Sequence, residues 1–60
     1  NKRITVLGNL GSDSITSHLG VKFNILPNPN YKVGSVGYFL IFQLNDGRWG
    51  IEKYIPINKK

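Results

Sequence analysis

The sequence predicts an all-β fold: a small barrel of four to five antiparallel strands with at most one short helix, forming one domain over residues 1–60. Alanine and methionine are absent while Ile, Val, Thr, Phe, Tyr and Trp are frequent, a composition that disfavours helix and favours strand. Apolar and polar residues alternate at a period of two in several short runs, as half-buried strands require. An Asp46-Gly47 dipeptide sits between two apolar runs, where glycine, and to a lesser extent aspartate, tolerate the positive φ of a type I′ hairpin turn.

Sixty residues leave room for only a small core. A domain of this length buries only about 60% of the surface its unfolded chain exposes. At roughly 0.05 to 0.15 kcal/mol per residue its stability is a few kcal/mol, a size compatible with support from a partner or with assembly into a homo-oligomer. The absence of cysteine removes disulfides, thiolate metal sites and a thiol nucleophile. The longest apolar run, Tyr38 to Phe42, is far shorter than the roughly 20 residues of a spanning helix, so a soluble chain with no membrane role is expected. No signal-peptide pattern is present, and a start at Asn1 fits a processed product or a piece of a longer protein.

Residues 2–8, KRITVLG, read as a strand with Ile4 and Val6 on one face and Arg3 and Thr5 on the other. Gly8 and Gly11 then punctuate a turn. In SDSITSHLG, residues 12–20, Ser12 or Asp13 suits a helix cap, Ile15 and Leu19 stand four apart, and Gly20 suits a stop. Ile15 and Thr16 equally suit a short strand; a short helix or irregular loop is the expectation. Residues 21–26 form a cleaner strand, Val21, Phe23 and Ile25 alternating with Lys22 and Asn24 until Pro27 ends the ladder. The proline- and asparagine-rich loop that follows is either a plain connector or a lip beside a binding groove.

The last third of the chain carries two apolar faces. With Asp46-Gly47 as a two-residue turn, Leu44 pairs with Trp49, Phe42 with Ile51, Leu40 with Lys53 and Tyr38 with Ile55. The expected core face is then Tyr38, Leu40, Phe42, Leu44, Trp49, Ile51 and Ile55. The opposite face carries Phe39, Ile41, Gln43, Arg48, Gly50, Glu52 and Tyr54. A water-exposed face should read polar, so Phe39, Ile41 and Tyr54 are either the inside of a sharply bent sheet or a binding face. Gly37 and Gly50 suit the corners of a bend. A small SH3-like or OB-like barrel satisfies these constraints. The stretch DGRWGIEKYIPI, residues 46–57, resembles the last strands of SH3-like domains, in which a tryptophan opens one strand and a proline follows an apolar pair. The resemblance implies the fold alone.

The formal charge of +5 sits mostly at the ends, on Lys2, Arg3, Lys59 and Lys60. Between them Lys22, Lys32, Arg48 and Lys53 nearly balance Asp13, Asp46 and Glu52. If the fold brings the ends together, the four terminal cations form an electrostatic rim that attracts phosphate. Catalysis is not expected: His18 is the only histidine, and the three acids are explained by a cap, a turn and a strand position. One histidine without a thiolate assembles no zinc site, and GNLGSDS lacks the lysine of a phosphate loop. No cofactor is implied.

The chain therefore reads as a non-catalytic binding module. The favoured expectation is a nucleic-acid binder, with Phe39 and Tyr54 as stacking platforms beside Ile41, with Lys22, Arg48 and Lys53 as phosphate-tracking cations, and with Tyr31 and Lys32 closing over the ligand. The alternative is an adaptor, inhibitor or small structural subunit that docks another protein, or a second copy of itself, through the same apolar face. An extended peptide adding to an exposed strand edge is a further form of that alternative.

Overall fold

Five strands account for the regular structure of the chain, in a computed structural model that describes residues 2–26 and 30–57. They are β1 (Arg3–Leu10), β2 (Ser14–Ser17), β3 (Lys22–Asn24), β4 (Val36–Gln43) and β5 (Trp49–Pro56). All belong to one antiparallel sheet of order β3-β2-β1-β4-β5. No helix occurs among the described residues.

The expected barrel does not close. The strands at the two edges, β3 and β5, share no ladder; they meet through one isolated parallel bridge, Ile25↔Trp49, with the Leu26 amide donating to the Trp49 carbonyl at 3.0 Å. Phe23 and Trp49 pack edge to face across the same gap, centroids 5.7 Å apart. The all-β architecture stands and the sheet is open.

Residues 12–19 form a strand where a short helix was the expectation. The Gly11 amide donates to the Ser14 carbonyl at 2.7 Å, folding β2 back onto β1, and Leu10 opposite Ile15 buries both side chains. Two apolar residues four apart cannot hold a helix against that pairing, because Leu19 finds nothing to pack on and is 80% exposed.

The hairpin of β4 and β5 departs from the expected register, and the departure decides which face is buried. Gln43 pairs with Trp49 and Ile41 with Ile51, so the connection is the three-residue loop Asn45-Asp46-Gly47 rather than a two-residue turn. The Gly47 amide donates to the Leu44 carbonyl at 3.0 Å, and the Leu44 amide to the Arg48 carbonyl at 2.7 Å. Gly47 alone takes positive φ, +92°, the position a type I turn with a glycine bulge demands. Beyond a bulge at Leu40/Ile41 the ladder resumes with Leu40↔Lys53, Phe39↔Tyr54 and Tyr38↔Ile55, leaving Glu52 as the extra residue on β5.

That one residue lets Trp49, Ile51 and Tyr54 all turn toward the inside of the curved sheet, against Ile41 and Phe39. The core is Val6, Leu10, Ile15, Ile25, Phe39 and Ile41, with Ile4, Phe23, Tyr31, Trp49, Ile51 and Tyr54 packed around it. The expected core face is thus inverted along β4. Phe39 and Ile41 are completely buried, whereas Tyr38 and Ile55 are 45% and 51% exposed. Trp49 and Ile51 keep their inward place because the shortened register near the turn shifts their partners by one residue.

Gly37 stands where neighbouring strands approach closely. A Cβ there would strike the Ile55 carbonyl and come within 2.7 Å of the Tyr54 ring. The ring covers the glycine instead, its hydroxyl donating to the Val36 carbonyl at 2.9 Å. Tyr54 stacks on Phe39 at 4.6 Å and meets Tyr31 edge to face at 6.1 Å.

Candidate functional site

The outer face of the sheet, turned away from the core, is built by the alternation of β1, β4 and β5. Leu7 lies opposite Tyr38, and Tyr38 opposite Ile55, in one row across the three strands. Val36 extends the row toward one end, where the Ile57 amide donates to its carbonyl at 3.3 Å. Leu40 and Phe42 extend it toward the other, both half-buried. The Phe42 ring lies over Gly50, whose missing side chain leaves the space that the ring fills. Val36, Tyr38, Ile55 and Ile57 are each more than a third exposed. They make an apolar surface across β4 and β5.

Charges border this surface. Lys53 stands beside Leu40 on the outer face and is exposed, so its place among apolar neighbours needs no burial of its stem. Arg3 and Glu52, on the two strands that flank β4, form an ion pair at 3.1 Å. Both partners are largely in water, where such a pair contributes about 0–1 kcal/mol. Arg48 is occupied within the hairpin turn: its guanidinium binds the Asp46 carboxylate at 2.7 Å, and its amide donates to the same side chain at 3.1 Å. The Arg48 side-chain bond, helped by its backbone amide, holds the Asp46 carboxyl below its ordinary range.

The structure separates the residues expected to form one binding face. Phe39 and Ile41 are core, unable to offer a ring or a methyl to a partner without unfolding the sheet. Tyr54 is half-buried against them and Tyr31 packs on Tyr54, so neither stands free as a platform or lid. Lys32 is exposed in the loop before β4, where its carbonyl accepts from Ser35. Lys22 is exposed on β3, opposite Thr16.

The electrostatic rim is not assembled by the described residues. Arg3 pairs with Phe42 at one end of β4 and Ile57 bonds Val36 at the other, a separation of roughly 20 Å at about 3.4 Å per residue. Lys59 and Lys60 lie outside the described residues. Among those residues no group of His, Asp and Glu side chains gathers as a metal site would require.

Sequence reasoning placed Tyr38 and Ile55 in the core and did not single out Val36, Ile57 or Leu7 as surface. One signal did point to them: Lys53 shares a face with Tyr38, Leu40 and Ile55, and a lysine in the middle of a face marks it as the wet one. A second feature lies at the free edge of β1, where Ile4, Val6, Leu19, Val21 and Phe23 border a groove of about 350 Å³. Comparison with protein-family models, curated proteins and solved structures finds no significant match.

Proposed function

We propose that this chain is a protein-binding module that docks a partner protein through the outer face of β1, β4 and β5. One observation supports the reading above the others. The row Leu7–Tyr38–Ile55, exposed at Tyr38 and Ile55 and continued by Val36 and Ile57, is apolar where a solvated sheet face is ordinarily polar. Tyr38 at its centre has the amphipathic ring favoured at interface anchors, and Lys53 and the Arg3–Glu52 pair supply a charged border. Nucleic-acid binding is the weaker reading, because Phe39 is buried and the outer face has one well-exposed ring, Tyr38, with Phe42 half-buried over Gly50, whereas strand binding stacks successive bases on several rings.

A photoreactive phenylalanine analogue in place of Tyr38, compared with the same analogue at Thr16, tests this. Crosslinking to one protein at position 38 but not 16 is expected, followed by a purified complex whose affinity falls about tenfold or more with Ile55→Ser and changes little with salt. A monomeric chain that crosslinks equally from both positions, or an oligonucleotide complex that weakens steeply with salt, overturns it.

A further inference from the structure

Among the described residues, the first half of β1 is hydrogen-bonded on one side only. Leu10 donating to Ser35 and Gln43 donating to Lys2 fix the phase of the β1–β4 ladder: even-numbered residues of β1 face β4. In an antiparallel ladder the odd-numbered residues then turn their main-chain groups to the other edge. On that edge β2 covers only Gly8, Asn9 and Leu10, and the His18 amide adds one bond to the Leu7 carbonyl at 2.9 Å. β2 gives way there to the turn that leads into β3. Among the described residues, no strand lies beside the N–H and C=O groups of Arg3 and Thr5.

Across from this bare edge stands the β2–β3 turn. The groove between them, about 350 Å³, is lined by Ile4, Val6 and Phe23 on the inside and by His18, Leu19 and Val21 at the lip. Leu19 and Val21 are 80% and 52% exposed. A row of unpaired main-chain donors and acceptors beside an apolar slot asks for an occupant that brings both a backbone and an apolar side chain. A neighbouring strand in a sheet stands about 4.8 Å away, and an extended peptide supplies both groups at once.

Charge narrows the occupant. The chain as a whole carries a net charge of +5, and the groove's lining holds no acidic side chain. Glu52 is bound by Arg3 and Asp46 by Arg48. A second copy of this chain pairing edge to edge would bring two chains of net charge +5 together, which disfavours it. We propose that the free edge of β1 accepts an extended acidic peptide as an added strand, its main chain bonded to Arg3 and Thr5 and an apolar side chain seated between Val6 and Val21. This goes beyond the outer-face reading and does not depend on it.

The test uses the whole chain and the peptide acetyl-Asp-Val-Leu-Val-Asp-amide, with the Lys-flanked and the backbone N-methylated versions as controls. Two-dimensional amide NMR follows the titration. The expected result is saturable shifts at Arg3, Thr5 and Leu19, with hydrogen exchange at the Thr5 amide slowed about tenfold or more once it is bonded. Thr5→Pro removes that donor on the edge away from β4, where proline is tolerated, and should weaken binding about tenfold with the β4–β5 resonances unmoved. Leu19→Ser and Val21→Ser, both at exposed positions, should weaken it without unfolding the chain. Ile55→Ser should leave it unchanged, which keeps this site distinguishable from the outer face. No slowing at Thr5, equal binding of the N-methylated or Lys-flanked peptide, or shifts confined to Tyr38 and Ile55 overturns the proposal.

Discussion

Replacing Phe39 and Tyr38 by leucine, one at a time, measures which face of β4 holds the molecule together. Phe39 has no exposed surface and stacks on Tyr54 at 4.6 Å; Tyr38, one residue away, is 45% exposed. Truncating a buried aromatic to alanine costs about 3–5 kcal/mol, which rivals the roughly 3–9 kcal/mol expected for the whole chain. Leucine is the gentler probe, because it keeps most of the volume and loses the ring stack. Phe39→Leu should therefore cost about 1–2.5 kcal/mol, and Tyr38→Leu about 0.5 kcal/mol or less. Trp49 fluorescence in a urea titration reads both. With a slope near 1 kcal/mol per molar for a small domain, the Phe39→Leu midpoint should fall by about 1–2.5 M and the Tyr38→Leu midpoint by under about 0.5 M. A Tyr38→Leu loss equal to or greater than that of Phe39→Leu would refute the burial assignment and, with it, the bulge that produces it.

Other perturbations follow from the same geometry. Gly37→Ala pushes a methyl into the Ile55 carbonyl, and backbone cannot yield as a side-chain tip does; a loss of about 2–4 kcal/mol is expected, read by thermal unfolding. Gly47→Ala forces an L side chain to φ +92° and should cost about 1 kcal/mol, a fall in Tm of about 4–8 °C for a chain this size. Asp46→Asn keeps an acceptor for the Arg48 amide and removes the charge. Because Arg48 lowers the Asp46 pKa from its ordinary 3.8, the ion pair's contribution is present above that value and lost as pH falls through the lower folded-state value. Stability curves of the two proteins should therefore converge on acidification below about pH 4. A gap that persists at low pH would point to some other cause.

The alternation of residues 2–8 was readable, with Ile4 and Val6 inward, although β1 runs on through Gly8 to Leu10; of residues 21–26 only Lys22–Asn24 form strand, and Phe23 and Ile25 face inward while Val21 is 52% exposed. The hairpin was readable as a hairpin, and Tyr38↔Ile55 and Leu40↔Lys53 were correctly paired. Its faces were not. A three-residue loop and a bulge each shift the phase by one, and neither changes composition, so the apolar content of both faces allowed two solutions. The choice between them rests on contacts far away in sequence, notably Val6 opposite Phe39. The strand at residues 14–17 was hidden for a related reason: four residues carry no periodicity of their own, and Ile15 is buried because Leu10 and Phe23 flank it. The candidate surface inherited the inverted face, while Lys53 already spoke for the correct one.

The pairing of β1 with β4 has a consequence for the order in which this chain acquires its shape. These two strands are neighbours in the sheet but not in the sequence, with β2, β3 and a long loop between them, so even their nearest pair, Asn9 and Val36, must close a long loop before that ladder returns any energy. The β4–β5 hairpin and the β2–β3 hairpin need only local closure and can form within about 1–10 μs. Their joining is the slow event, and topologies dominated by such distant contacts fold in about milliseconds to seconds. Emergence from a ribosome would impose the same sequence of events, with β1 already paired to β2 and its other edge waiting for β4 in the second half of the chain.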